Sequence, residues 1–584
     1  MFTLDLSALS FEQRIAREWL VPNGAGGYAS STIIGLNTRK YHGLLVTASR
    51  PPFERMVILS RVEETVSAGG RTWALATVEY PGAIHPSGHE LIRAFDAHPH
   101  PRWAFQGEGW TLQKTLRFVP GRPDAVVLTY TLLGAAADVE LTVKPLLALR
   151  PIHELMYQWS GRLEAEISGE GGRYVRIPGT ARTPAVHLAH EGKFVAGAHW
   201  YLSTLYRCER DRGYAGMEDL WMPGEIRFSL SPGRSVHIAV STRELDLASI
   251  EADLAREDEQ QRRPAGARGG VEEVTRALAT AAERFFVWSA PSEGEPWTCL
   301  MPQYPWTPWS VRDMLISLPG ILLAHGRFVA ARTLLVKLAG MVREGLVPSE
   351  LGERGEPPAY NASDVSLWFI HAAGCYVRQS QDEQFASQVL PVARGIIGAY
   401  QRGTRLGIGL DGEGLLRVRE PGIGTTWMNA KVGEWVITPR HGRPVEVNAL
   451  WHNALCVVAE WHGLLRDEKS AEGLRSVARS FRREFNERFW NSAAKSCFDV
   501  VYDSGADAAI RPNQLLAVSL TYPALSEDRW RGMLATVREK LLTPVGLRTL
   551  SPDDASYQGH YGGDVVKRDR AYHQGSVFPW LLGP

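Results

Sequence analysis

The sequence predicts two successive architectures, an antiparallel β-sandwich and then a ring of paired helices, and three observations predict them. Up to about residue 260 the chain reads as short alternating or β-branched runs such as RKYHGLLVTA, RMVILSRVEETV, DAVVLTYTLL and VELTVKPLLAL, punctuated by Gly, Pro, Asp and Asn. From Val271 onward the apolar spacing becomes helical. Every second helical stretch follows a polar, aromatic loop: PQYPWTPW before Ser310, PPAYN before Ala362, IRPN before Gln514 and KRDRAYHQ before Gly575 are four of them. Such alternation is expected of a toroid whose inner helices open their N-terminal ends onto one pocket while outer helices close the ring. Between the two parts EADLAREDEQQRRPAGARGG is charged and ends in Pro and Gly, a linker composition. The expected boundaries are a sandwich over 1–255, a linker over 256–270 and a helical ring over 271–584.

The helical stretches fall near 271–289, 310–325, 327–346, 362–380, 383–402, 446–465, 469–489, 512–522, 525–542 and from 573 onward, about ten in all. A closed ring of six hairpins takes twelve. The chain stops at Pro584 inside the tenth, on VFPWLLGP, so the expectation is a truncated chain or a barrel left open.

Bulk composition narrows the function. The 584 residues suffice for two or three domains, and Lys plus Arg balances Asp plus Glu at 64 each. A formally neutral chain without long charge runs argues against a nucleic-acid or anionic-membrane partner and suits a neutral substrate. The five cysteines are far apart and never in CxxC spacing, which indicates neither a disulfide framework nor a zinc site. The N-terminus mixes charges with its apolar residues, and no stretch is apolar for long enough to span a membrane, so a soluble cytoplasmic protein is expected.

Two segments of the first part are richer than a scaffold requires. In EWLVPNGAGGYASSTIIGLNTRKYHGLLV, Gly24, Gly26 and Gly27 make a turn before a strand, and Arg39, Lys40, Tyr41 and His42 cluster at the next. GAGGYAS lacks the lysine and following helix of a nucleotide loop. YRCERDRGYAGMEDLWMPG is dense in charge and tyrosine, either a loop reaching beyond its own domain or a solvated hairpin.

The stretch Ile423–Asn453 carries the densest chemistry. Its first half is broken by Gly422, Gly424, Gly433, Pro439, Gly442 and Pro444, and a helix begins near Glu446. Trp427, Trp435 and Trp451 offer flat apolar faces; Asn429, Lys431, Arg440, His441, Glu446 and Asn448 offer donors and acceptors. Sugars need both, because a pyranose has apolar C–H faces and a hydroxyl rim, so the stretch reads as one wall of a carbohydrate site; an irregular surface loop with packed tryptophans is the alternative.

Two carboxylates on different elements are the minimal machinery for glycosidic hydrolysis. Asp313 lies three residues after Ser310 and Asp364 three after Asn361, so either suits a helix cap. Capping explains neither aromatic cluster, Trp306 and Trp309 before Asp313, and Tyr360, Trp368 and Phe369 around Asp364. Partial burial among rings raises a carboxyl pKa, as a general acid requires, which favours Asp364 as the acid. Asp313, beside Arg312, reads instead as a neutralised carboxylate gripping hydroxyls. Glu446 is either a base or an ordinary first-turn acid whose ionised form the helix dipole favours. His573 is either a ligand donor or a core histidine, and no histidine spacing suggests a metal site.

These motifs, with RDMLISLPG, YNASDVSLWFI, TTWMNAKVGEWVITPRHGRPVEVNALWHNAL, RPNQLLAVSL and RDRAYHQGSVFPWLLGP, resemble the glycogen debranching enzymes of bacteria and archaea, whose C-terminal half is the amylo-α-1,6-glucosidase. The resemblance covers nearly the whole chain. It implies an N-terminal β-sandwich, a C-terminal (α/α)6 barrel, no metal or other cofactor, and inverting hydrolysis of the α-1,6-linked glucose at a trimmed branch of glycogen or a related α-glucan. By motif, Asp364 matches the general acid. Asp313, Glu446, His573 and Gln574 match pocket residues, to which Trp309, Arg312, Tyr360, Asn361, Trp368, Trp427, Asn429, Lys431, Arg440, His441 and Asn448 are added as substrate-binding candidates. The base corresponds to a glutamate before the last inner helix, expected beyond Pro584, with Glu446 the weaker choice. The chain departs from its relatives at Asn429, where they usually read WMDAK, and at Val311–Met314, where they usually read GRDT. Rival readings are a trehalase- or glucoamylase-like hydrolase of other linkage and a catalytically impaired glucan-binding protein.

Overall fold

Alternating side chains commit the first half of the chain to two antiparallel sheets, each apolar on its inner face. The computed structural model describes residues 4–135, 137–159, 161, 163–262, 271–289, 297–306, 309–419 and 422–583. It divides into two units, Met1–Met301 and Pro302–Pro584.

In the first unit one sheet has nine strands, centred on Trp110–Val119, Arg122–Ala135 and Ser235–Ser241. The other has eight, centred on Phe53–Ala68, Val139–Pro151 and Met217–Leu230. Their inner faces share one core, in which Trp19, Leu45 and Leu59 meet Trp103, Leu116 and Leu128. Trp19 and Trp103 pack edge to face at 5.5 Å, an arrangement that adds about 1 kcal/mol to simple burial. The glycine turn forms as expected before the strand Tyr28–Thr32. Gly26 has φ +87°, and a Cβ there would collide with the Pro52 backbone, so no other residue fits.

The outer face of the nine-stranded sheet is covered by the helix Leu247–Arg262. Leu245, Ile250 and Leu254 sit on Val127, Ala189 and Ala239, and Arg117 pairs with Glu257 at 2.6 Å and Asp258 at 2.8 Å. Residues 256–262 of the expected linker are therefore the end of a docked helix; residues 263–270 lie outside the described residues.

The second unit is helical: Val311–Leu318, Phe328–Ala339, Val365–Ser380, Glu383–Arg402, Val445–Leu464, Glu468–Phe489, Glu527–Leu541 and Val565–Tyr572 are its longer helices. Val445–Leu464 is buried around most of its circumference, whereas the following Glu468–Phe489 buries a single stripe of Ala471, Ala478, Phe481, Phe485, Asn486 and Phe489. Val365–Ser380 lies close against Val445–Leu464, where a Cβ on Gly374 would stand 2.8 Å from Val457. Side-chain oxygens of Ser310, Asp382, Asp467 and Asp564 cap four of these helices.

Three helix expectations are corrected. The stretch 271–289 is helical only over Val271–Glu283, passes into the strand Phe286–Ser289 and belongs to the first unit. The stretch 512–522 forms only a 3-10 turn, Pro512–Leu515, and one helical turn, Leu516–Ser519. The last helix precedes residue 573 instead of starting there: Asp564 caps Val565–Tyr572, and the chain beyond passes into the short strand Val577–Phe578. Gly575, at φ +146°, packs against the Gln558 carbonyl where no side chain fits, which breaks the helix. Among the described residues no helix is long and apolar enough to cross a membrane.

Candidate functional site

Asp364 stands at the N-cap of Val365–Ser380, and its side chain makes no capping bond. It turns to Arg312, whose Nε reaches the two carboxylate oxygens at 2.9 and 3.2 Å and whose Nη2 donates at 3.0 Å. This fork is buried, and such planar two-point pairing is what a guanidinium does best. Burial works against the Arg312 charge, but the Asp364 charge and hydrogen bonds outweigh it and hold the guanidinium above its usual value. Arg312 was expected to neutralise Asp313. Successive side chains on a helix point about 100° apart, so Asp313 faces elsewhere and accepts from Gln303 Nε2 at 2.6 Å.

Ser363, next to Asp364, donates from its backbone nitrogen to the Thr425 carbonyl at 2.7 Å, which fastens the acid to the stretch 423–453. There Arg440 is the hub. It grips both Glu446 oxygens, and it donates to Asp499 Oδ2 at 2.7 Å, Oδ1 at 2.9 Å and carbonyl at 3.2 Å. Asp499 also accepts from Asn513 Nδ2 at 2.8 Å and lies 3.6 Å from Arg511. Two arginines thus balance two carboxylates. Burial pushes the Glu446 carboxyl up, and the Arg440 charge only partly pulls it back, so the helix dipole does not decide its state as expected.

Trp427 is tied to this hub through Asn513, its Nε1 donating to Asn513 Oδ1 at 2.8 Å. Its ring meets His573 at 5.1 Å, Trp580 at 5.2 Å and Phe578 at 5.6 Å, all edge to face. His573 is almost wholly buried, yet among the described residues neither ring nitrogen has a hydrogen-bond partner. Burial, reinforced by the guanidiniums of Arg511, Arg440 and Arg312, pushes it down to about 3, so the imidazole is neutral with one donor and one acceptor open. Gln574 accepts from Arg511 Nη2 at 2.8 Å. The structure therefore brings together Arg312, Asp364, Trp427, Arg440, Glu446, His573 and Gln574.

Other expected residues are engaged elsewhere or face solvent. Asn448 exchanges hydrogen bonds with the Leu416 backbone and donates to the Pro444 carbonyl, a clamp within the fold. Tyr360 donates to the Met341 carbonyl, Asn361 accepts from Ser349, and His441 lies 3.3 Å from the Ile423 carbonyl. Trp309 and Trp368 are buried, while Asn429 and Lys431 are exposed, the latter beside Glu434. Trp451 is not part of the wall: it stacks on Tyr400 in the core at 6.1 Å. Asp499, Arg511 and Asn513 were missed. The IRPN loop held two of them in view, but Asp499 sits in CFDVV with no neighbouring signal.

Among the described residues the one set of His, Cys, Asp or Glu side chains whose ligand atoms lie within 4.8 Å of one another is Glu191, His237 and Glu251 in the first unit.

Comparison with known proteins defines first a class. The chain has the fold of a bacterial glucoamylase solved with acarbose, at a TM-score of 0.57 over 97% of this chain and 84% of that one, with 9% identity. The family follows. Residues 283–584 match the model for amylo-alpha-1,6-glucosidase and residues 17–237 that for the glycogen debranching enzyme N terminal, so the chain belongs to the glycogen debranching enzyme family. It is 26% identical over 361 residues to a glycogen debranching enzyme of Saccharomyces cerevisiae, a match covering 47% of this chain and 23% of that protein's length.

Proposed function

We propose that the chain is a debranching-type glycoside hydrolase that releases glucose from α-1,6 branch points of glycogen or a related α-glucan, with inversion, on an (α/α)6 ring in its second unit. One observation carries the reading: the Arg312–Asp364 fork is tied through Ser363 to the Arg440 hub, beside the tryptophan Trp427 and a buried neutral imidazole, His573, with both nitrogens open. Trp427 offers a sugar its apolar surface. His573 accepts from one hydroxyl and donates to another. Asp364 is the acid that protonates the leaving oxygen, which requires Arg312 to release one carboxylate oxygen when substrate enters. Glu446, with both oxygens on Arg440, anchors the hub, and no base is assigned among the described residues. A second reading, a glucan-binding protein without turnover, is favoured by the same fact that Asp364 and Glu446 both present two oxygens to arginines.

The test is glucose release from phosphorylase limit dextrin, maltose and trehalose. Debranching predicts glucose from the dextrin, initially as the β-anomer, and Asp364→Asn is expected to slow it by roughly 10²–10⁴-fold. Silence on all three substrates with retained glycogen binding would establish the second reading. An unchanged rate in Asp364→Asn would remove the acid assignment.

A further inference from the structure

A second cluster of chemistry lies in the first unit. The strands Val186–His190 and Ser235–Ser241 pair antiparallel with His190 opposite Ile238, so the turn after His190 comes beside the start of the second strand. Glu191 sits in that turn and accepts from the His237 backbone nitrogen at 2.8 Å. His237 pairs with Thr129 of the strand Arg122–Ala135 and shares a sheet face with Ala239, two residues on. That face is the one the helix Leu247–Arg262 covers through Ile250 and Leu254. Glu251, the residue after Ile250, thereby joins the other two: one ligand atom from each of Glu191, His237 and Glu251 lies within 4.8 Å of the others.

Two features set this cluster apart. The first is its charge balance. Three neighbouring acids of the same helix are matched, Glu257 and Asp258 by Arg117 and Asp253 by Arg256 and, at 3.9 Å, Arg122. Among the described residues Glu191 and Glu251 pair with no lysine or arginine, and each has the other carboxylate for a neighbour. Like charges so close repel unless a cation stands between them. The second feature is the orientation of the imidazole. Thr129 Oγ1 lies 3.0 Å from His237 Nδ1, which engages that nitrogen and leaves Nε2 for a ligand. A metal-bound histidine is held in the same way, by a hydrogen bond on its other ring nitrogen.

The donor set selects the ligand class. Two carboxylates and one imidazole suit zinc or a similar first-row divalent ion, whereas calcium and magnesium prefer oxygen alone. Ligands of one tetrahedral zinc stand about 3.3 Å apart, and the two glutamates, both exposed, close the remaining distance by side-chain rotation. We propose that Glu191, His237 and Glu251 bind a divalent transition-metal ion, zinc by its chemistry, with water completing the shell. The ion is structural: it staples the helix Leu247–Arg262 to the strand and the turn beneath it. Glu191 and His237 are 46 residues apart in the chain, so no spacing announces the site. The proposal is independent of the glucan reading.

The test is titration calorimetry of the full chain with zinc chloride after stripping with EDTA and dialysis, together with thermal melting in zinc and in magnesium. His237→Ala and Glu251→Gln are each expected to weaken zinc binding by at least about tenfold. Zinc at about 100 times its Kd should raise the melting temperature of the parent protein by roughly 5 °C, and magnesium should not. Glu251 is exposed, so Glu251→Gln keeps the test valid if His237→Ala folds poorly. Without metal Glu251→Gln should melt no lower than the parent, because it removes one of two like charges. No zinc binding by the parent overturns the proposal, as does equal binding by both variants, which places the zinc elsewhere on the chain. Equal protection by magnesium overturns the part given to the imidazole.

Discussion

Arg440 is the residue whose loss the second unit should tolerate least. In Arg440→Met the methyl thioether fills much of the space but leaves Glu446 and Asp499 buried without their shared cation. Asp499 keeps Asn513 at 2.8 Å and Arg511 at 3.6 Å, whereas Glu446 keeps no other cation among the described residues, so the penalty concentrates on one stranded carboxylate. Breaking one buried pair costs about 3–5 kcal/mol, which for a unit of this size lowers the melting temperature on the order of 10 °C. Burial already raises the Glu446 carboxyl above its usual value near 4.5. Without Arg440 nothing offsets that burial, so the deficit should grow as pH rises and shrink in acid. Scanning calorimetry at pH 5 and pH 8 on the wild type, Arg440→Met and Arg440→Met with Glu446→Gln measures this. The double variant is expected to regain at least half the loss. A single variant melting within about 2 °C of wild type, or a double variant no better than the single, would refute the hub as an energetic centre.

The buried histidines set an acid limit. Burial lowers His371 and His452 to about 4 and His573 to about 3 from an ordinary value near 6.5. Each is neutral when folded and protonated when unfolded in that window, so its contribution is complete above pH 6.5 and is lost as pH falls toward 4, at up to about 1.4 kcal/mol per pH unit. The second unit should melt lower at pH 5.5 than at pH 7.5, less so in His452→Gln; a flat profile would contradict the neutral burial. Gly374→Ala should cost about 1–3 kcal/mol by forcing Val365–Ser380 away from Val457, read by urea denaturation; a neutral result would show that the helices separate freely.

The change of period from two to 3.6 made both units legible, because it reports which faces are buried. The position of Asp364 at a helix start was equally legible, since YNASD precedes an apolar run. Its partner was not. Arg312 is adjacent to Asp313 in the chain, and only the helical rotation between them sends one to Asp364 and the other to Gln303. Composition flagged Trp451 with Trp427, but Trp451 lies inside a helix buried on nearly every side, while Trp427 sits in a broken loop. Asp499 was invisible because its partners lie at residues 440, 511 and 513, brought to it by tertiary structure.

That same remoteness bears on how the protein reaches its native state. Arg312 and Asp364 are 52 residues apart, Ser363 and Thr425 62, Arg440 and Asp499 59, and Arg511 and Gln574 63. Closing such loops costs chain entropy before any contact repays it, so helices can form early while the constellation waits for the whole unit to condense. Only the Arg440–Glu446 pair, six residues apart, lies within one short stretch; the rest of the constellation is a product of the condensed unit.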